Sequence, residues 1–366
     1  MHHRPHKRPT AVDLFCGVGG LSLGLVQTGF DLIGAVDNDR TVLDAFRLNF
    51  AEVPTASHDL SVATGSVLQC DLSMGKRDID LLVGGPPCQG FSFGGVNKRA
   101  DPRNEGVLVF ARLVKELRPR YFVMENVRGF LSAPHTSRRK EFCKAVTEAG
   151  YVVQLPIRAL NAADYGVPQR RLRAFIVGHA RGEVAPDYPP PNTAKTPTVR
   201  DAIGDLTFVD RHSPDFGLDH YEGPLGPTSA FASDLRRNPT GDLVRRLTGC
   251  RRTRHSSAVV QRFRATKPGN QEIISRFYRL AWGGISPTLR AGTGRDHGSH
   301  TAPRPIHPAK ARCITVREAA RLHSFPDWFT FHPTHWHGFQ QIGNSVPPLL
   351  AKAVVSSIYA ALTRSG

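Results

Sequence analysis

The chain has no Cys-x-x-Cys pair; its six cysteines (Cys16, Cys70, Cys88, Cys143, Cys250, Cys313) are scattered through 366 residues. That scatter excludes paired-cysteine zinc sites. The basic start, Met-His-His-Arg-Pro-His-Lys-Arg-Pro, is followed by no apolar signal segment, so a cytoplasmic protein without disulfides is expected. No run approaches the ~18 apolar residues of a membrane span. A cysteine with a task would therefore work as a free thiol. Acid is also scarce, with 31 Asp+Glu against 48 Lys+Arg, a net charge of +17 and a pI near 10.1. Such a surplus suits a polyanionic partner, nucleic acid first, although basicity for solubility alone looks the same in composition. The crowding of Arg236, Arg237, Arg245, Arg246, Arg251, Arg252, Arg254, Arg262 and Arg264 in one stretch favours a binding surface. Histidines are plentiful, but His332, His335 and His337 are irregularly spaced and no metal is expected.

The first half alternates β-branched runs with helical patterns, the rhythm of a parallel α/β sheet. Strands are expected at 10–15, 31–36, 79–83, 121–124 and 174–177, and helices at 21–27, 41–49, 107–117 and 139–149. Asp37-Asn38-Asp39 can cap the helix that follows it. After Gly178 the rhythm breaks. Pro186, Pro189, Pro190, Pro191 and Pro197 mark a linker into a loop-rich, arginine-rich region. Helical patterning returns at 316–323 and at 348–362. The expected domains are 1–185 with 342–366, and an inserted 186–341.

Four strand ends carry candidate chemistry. Asp13-Leu14-Phe15-Cys16-Gly17-Val18-Gly19-Gly20 is a glycine-rich turn between strand and helix, which allows close backbone approach to a ligand. A plain tight turn is the alternative. Asp37, ending the next strand, is placed to hold ribose hydroxyls. Gly84-Gly85-Pro86-Pro87-Cys88-Gln89-Gly90-Phe91-Ser92 fixes a cysteine with two prolines at a strand's carboxyl end, where its thiolate could be a nucleophile. A buried structural cysteine is the alternative, but the glycine-rich polar stretch from Gly90 to Arg103 reads as a lid, which suits a reactive thiol. Glu125, ending a further strand, could be a buried proton donor or merely a capping or salt-bridging glutamate. Arg171 and Arg173 alternate onto one face of the 174–177 strand's entry, to hold a base edge or a phosphate, or else to face solvent.

These segments, with Arg317-Glu318-Ala319-Ala320-Arg321-Leu322, Phe325-Pro326-Asp327 and Gly343-Asn344-Ser345-Val346-Pro347-Pro348, occur in one order. That order resembles the DNA cytosine-C5 methyltransferase family over nearly the whole chain, and six motifs in sequence are specific. The resemblance implies an α/β fold: a Rossmann-like, mostly parallel sheet flanked by helices (class I methyltransferase), with a smaller, loop-rich target-recognition domain. It implies S-adenosyl-L-methionine as cofactor and double-stranded DNA as partner. It makes Cys88 the nucleophile, Glu125 the proton donor at ring nitrogen 3, and Arg173, supported by Arg171, the clamp on cytosine oxygen 2. Phe15, Cys16, Gly17, Gly19, Gly20, Asp37, Asn38 and Pro86 would hold the cofactor. Asp71 and Leu72 would lie near its adenine, and Asn344, Ser345 and Val346 would complete the pocket. Gln89, Ser92 and Arg103 would meet the substrate. Two positions depart from the usual pattern: Asp37 where glutamate is common, and Cys16 where alanine is frequent.

The implied reaction places a methyl group on carbon 5 of a cytosine flipped out of a specific duplex sequence. A restriction-modification setting is implied, in which a cognate endonuclease acts on the same site without a stable complex; the enzyme itself is expected to be a monomer. A tRNA cytosine methyltransferase would use the same chemistry, but the Cys-Phe-Thr element of that branch is absent. A catalytically silent DNA-binding relative would be expected to lose Cys88 or Glu125, and both are present. A nicotinamide dehydrogenase leaves Cys88 and the basic insert unexplained.

Overall fold

Apolar β-branched runs that are buried on both faces set the architecture. The computed structural model describes residues 8–75, 77–87, 105–212, 219–292 and 304–364. The strands β1 (Thr10–Leu14), β2 (Asp31–Asp37), β3 (Thr55–Ser57), β4 (Leu81–Gly84) and β5 (Tyr121–Val127) pair in parallel in the order β3-β2-β1-β4-β5. β1 and β4 are buried along their whole length, as strands covered on both sides must be. The order reverses between β1 and β4. This is the topological switch point, outside whose carboxyl ends open α/β sheets bind ligands.

Past β5 the sheet turns antiparallel. β8 (Leu172–Ala180) runs against β5, and β6 (Tyr151–Val153) and β7 (Arg158–Asn161) pair with β8. Pattern reading anticipates β8 but stops it at 177, and it stops β5 at 124. Both strands continue, and the extra residues of β5 include Glu125 and Asn126. The short β3, β6 and β7 carry too few residues for an alternation to register.

The helices of this layer are α1 (Gly20–Thr28), α2 (Arg40–Asn49), α3 (Gly65–Asp71), α4 (Gly106–Leu117) and α5 (Thr136–Glu148). Asp39 caps α2, its Oδ1 accepting from the Thr41 and Val42 amides at 2.9 and 3.3 Å. Phe110, Leu113 and Val114 of α4 and Phe142 and Val146 of α5 share one buried cluster with Val12, Leu14, Ile33, Val36, Leu82, Met124 and Ile176 of the strands. Each such side chain contributes ~1.5–3 kcal/mol by leaving water.

The chain divides into two compact units, Met1–Asn161 with Leu172–Pro191 and Leu350–Gly366, and Ala162–Arg171 with Asn192–Leu349. The second holds α6 (Val199–Ile203), α7 (Thr207–His212), α8 (Ala230–Leu235), α9 (Ser257–Ala265), α10 (Val316–Leu322) and α11 (His335–Asn344). Capping boxes start α6 (Thr198 with Asp201) and α10 (Thr315 with Glu318). From Leu350 onward the closing helix, α12 (Pro348–Arg364), belongs to the first unit. There it lies so close to α1 that a Cβ on Gly24 would stand 2.6 Å from Ala351 Cβ and 2.7 Å from the Lys352 amide nitrogen.

Candidate active site at the strand ends

The loop after β1 is shaped by backbone conformations that few residues adopt. Phe15, Gly17 and Gly19 have φ of 56°, 55° and 99°. At Gly19 a side chain is also excluded, because its Cβ would stand 2.5 Å from the Phe50 ring. At Gly17 the Cβ direction meets nothing within 4 Å, which leaves room for a ligand against the backbone. The loop is tied to the end of β2, with the Cys16 amide donating to the Val36 carbonyl at 3.0 Å and the Gly17 amide to Asp37 Oδ2 at 2.9 Å. Asp37 Oδ1 accepts from the Asp39 amide at 3.0 Å. Burial raises the Asp37 carboxyl above its usual range, against the pull of those amides. Asn38 is exposed beside it.

Below the loop, Asp13 is fully buried, with Ser22 Oγ donating to its Oδ2 at 2.6 Å and, among the described residues, no hydrogen-bond partner on Oδ1. Burial pushes this carboxyl up to about 7, the Ser22 hydrogen bond opposes the rise, and Asp37 adds to it. Cys16 is buried, and its thiol is raised by the same desolvation, with Asp13 and Asp37 adding to the rise.

Asp71 closes α3, its Oδ2 lying 2.7 Å from His58 Nε2, while Leu72 is buried against Gly34 in the middle of β2. The short α3 escapes the sequence pattern, and Leu72, the residue that caps its end, packs into the core. The acid that follows β3 is Asp59, which is exposed and hydrogen-bonded by the Ser61 amide and hydroxyl at 2.9 and 2.7 Å. Ser61 holds this carboxyl below its ordinary range. A three-residue strand gives no sign in the sequence that Asp59 stands near a strand end.

At the end of β5, Glu125 is nearly buried, and Arg173 Nε lies 2.9 Å from its Oε1. The register explains the pair: Glu125 faces Phe175 and Val127 faces Arg173, so the two side chains are diagonal neighbours on one face of the sheet. Gly85 lies beneath them, its Cβ position 3.2 Å from Glu125 Oε2. Asn126, also buried, donates to the Pro86 carbonyl at 3.5 Å, and Pro86 and Pro87 both pack against Gly106 at the start of α4. The Gly-Gly-Pro-Pro turn is thus fixed to β5 and α4. Cys88, Gln89, Ser92 and Arg103 lie outside the described residues.

Arg171 does not join Arg173. It precedes β8, is fully buried, and donates to the carbonyls of Leu289, Gly343 and Ser345 at 2.9, 2.6 and 2.8 Å. Its work is to gather three segments of the second unit. Ser345 and Val346 are buried in that unit and Asn344 is exposed; the Ser345 carbonyl also lies 3.0 Å from His323 Nε2.

The arginines of the second unit sort into two groups. Arg321 is clasped between Asp205 and Asp327 with contacts of 2.6–2.9 Å. Arg312 pairs with Glu318 and Asp210 at 2.8 Å, and Arg317 donates to the carbonyls of Thr248, Pro326 and Phe329. Arg236 joins Asp205, Arg252 joins Asp210, and Arg262 joins Glu272. These are internal clasps. Arg237, Arg245, Arg246, Arg254 and Arg264 face solvent. The arginine-rich stretch is therefore only in part a surface.

A family model described as C-5 cytosine-specific DNA methylase matches residues 10–360. The Type II methyltransferase M.XorII of Xanthomonas oryzae pv. oryzae is 48% identical over 98% of this chain and 86% of its own length. The Type II methyltransferase M.DdeI of Desulfomicrobium norvegicum is 31% identical over 95% of this chain and 88% of its own. A crystal structure of a protein encoded within an Escherichia coli prophage superposes with a TM-score of 0.82 at 32% identity, covering 97% of this chain and 99% of that one. The S. pombe Dnmt2 methyltransferase, 17% identical, shares the fold with a TM-score of 0.61 over 97% of this chain and 100% of that one.

Proposed function

The chain belongs to the C-5 cytosine-specific DNA methylase family, and on that premise we propose that it methylates carbon 5 of cytosine in a specific duplex DNA sequence, with S-adenosyl-L-methionine as donor. The observation that carries the site assignment is the Glu125–Arg173 pair, seated against the Gly85-Pro86-Pro87 turn that leads directly into Cys88.

The switch-point loop fits an adenosine-type cofactor. Gly17 leaves open space over its backbone, and Asp37 stands at the end of β2, where such sheets hold a ribose. Phe15, Gly19, Gly20, Asn38 and Pro86 border the same strand ends. When bound, the sulfonium supplies an electrophilic methyl group.

The protein's own residues make the ring nucleophilic. The flipped cytosine meets Arg173 at oxygen 2 and Glu125 at nitrogen 3, where Glu125 holds the proton that offsets charge developing in the ring. The Cys88 thiolate adds to carbon 6, and the electron pair displaced toward carbon 5 takes the methyl group. A base removes the carbon 5 proton, the ring double bond re-forms and the Cys88–carbon 6 bond breaks. Gln89, Ser92 and Arg103 follow the nucleophile and would line the substrate. The first unit carries this chemistry and the second reads the target, its solvent-facing arginines meeting phosphates.

Transfer of labelled methyl from S-adenosyl-L-methionine to duplex DNA tests the reading. Activity on duplex DNA that falls at least 100-fold in Glu125→Gln, with cofactor binding kept, supports it. Transfer to RNA alone, or an undiminished Glu125→Gln enzyme, overturns it.

A further inference from the structure

Two adjacent isoleucines, Ile273 and Ile274, are 89% and 69% exposed, whereas the other exposed large apolar side chains among the described residues stand singly in sequence. They sit at the tip of a hairpin whose strands bridge at Gln271 and Tyr278. The tip is braced from inside. Glu272 is buried, and its carboxylate accepts from the Ile274 amide at 3.1 Å and the Ser275 amide at 2.5 Å while pairing with Arg262 of α9 at 3.2 Å. The Arg276 amide donates back to the Glu272 carbonyl at 2.9 Å, with Arg276 itself at φ 60°. At the hairpin's base, buried Arg279 donates to the carbonyls of Phe263, Thr266 and Pro308. The loop is thus held in one shape, with β-branched, conformationally stiff side chains turned outward.

Around the isoleucines, the exposed residues of the hairpin are Asn270, Gln271 and Arg276, with Arg264 and Lys267 just before it. The cations suit a phosphate backbone. The amides and the isoleucines have a narrower match. Asn and Gln side chains are the bidentate readers of adenine in the major groove, and the thymine methyl is the apolar feature of the base edges there. We propose, on the reading that this chain methylates DNA, that the 269–276 hairpin reads an A·T pair of the recognition sequence, Gln271 or Asn270 facing the adenine and Ile273 and Ile274 packing on the thymine methyl.

The test uses the full-length enzyme and duplexes carrying its recognition sequence, found first by mapping methylated cytosines. Each thymine is replaced in turn by deoxyuridine, which keeps base pairing and lacks only the methyl group. The wild-type enzyme should lose about 3- to 10-fold in kcat/KM at one such position. The Ile273→Ala/Ile274→Ala variant, with unchanged thermal stability because both side chains are exposed, should treat thymine and deoxyuridine alike there. A recognition sequence of G·C pairs alone overturns the proposal, as does a variant that keeps the wild-type discrimination or loses activity equally on both duplexes. Absence of transfer to any duplex would instead overturn the methyl-transfer reading, and this assignment with it.

Discussion

Arg173 Nε stands 2.9 Å from Glu125 Oε1, and the two side chains are only 13% and 11% exposed. A guanidinium and a carboxylate so placed hold each other in position before any base arrives. Removing one partner takes away a contact that offsets the other's shielding from water, a loss of up to about 3–5 kcal/mol for a fully buried pair. Arg173→Ala should therefore lower both methyl transfer and the melting temperature. Glu125→Gln, which retains a hydrogen-bond acceptor, should lower transfer by at least 100-fold with a smaller change in melting. Equal melting shifts in the two variants would contradict this division.

Gly24 lies in the interior of α1, where alanine normally favours a helix by up to about 1 kcal/mol. Here the Cβ would overlap Ala351 and the Lys352 backbone of α12, and backbone cannot step aside. Gly24→Ala is expected to destabilise by about 1–3 kcal/mol, measured by denaturant unfolding. A stabilised variant would show that α12 does not pack on α1 in this way.

Asp13 gives a pH dependence with a definite sign. Its carboxyl is raised by burial to about 7, so between its unfolded value of 3.8 and about 7 the folded chain binds a proton that the unfolded chain has released. Stability contributed by this group is present below that window and falls as pH rises through it, by about 1.4 kcal/mol per unit. The difference in unfolding free energy between Asp13→Asn and wild type should shift in favour of the variant from pH 5 to pH 8. A pH-independent difference would show that Asp13 is not held protonated.

The sorting of arginines predicts two phenotypes. Arg245→Ala/Arg246→Ala, on solvent-facing positions, should leave stability unchanged and reduce the salt slope of DNA binding by up to ~0.9 for each phosphate that the variant no longer neutralises. Arg321→Ala strips a fully buried clasp from Asp205 and Asp327 and should destabilise the fold by about 3–5 kcal/mol. Calorimetry and titrations at several salt concentrations separate the two.

The strands of the parallel half are legible because apolar runs alternate there with amphipathic helices, and Glu125 can be placed at a strand end from sequence alone. Less is legible where the signal is three-dimensional. β3 is too short to announce itself, so the sequence gives no sign that Asp59 follows a strand or that Asp71 closes a short helix. Arg171 and Arg173 look equivalent at a spacing of two. Only the start of β8 separates them, sending one to three backbone carbonyls and the other to Glu125. Arg236, Arg252 and Arg262 look like surface charge because the acids that bind them, Asp205, Asp210 and Glu272, lie 10 to 42 residues away along the chain.

Methyl transfer to cytosine in DNA, as proposed, depends on Cys88 as nucleophile. Bisulfite sequencing of DNA from a bacterial host without its own cytosine methylation, expressing either this chain or its Cys88→Ala form, tests it most directly. The expected result is protected cytosines in one recurring short sequence with the wild-type chain and none with Cys88→Ala. Full conversion in both, with soluble protein that binds S-adenosyl-L-methionine, would contradict the claim, and protection by Cys88→Ala would contradict the nucleophile.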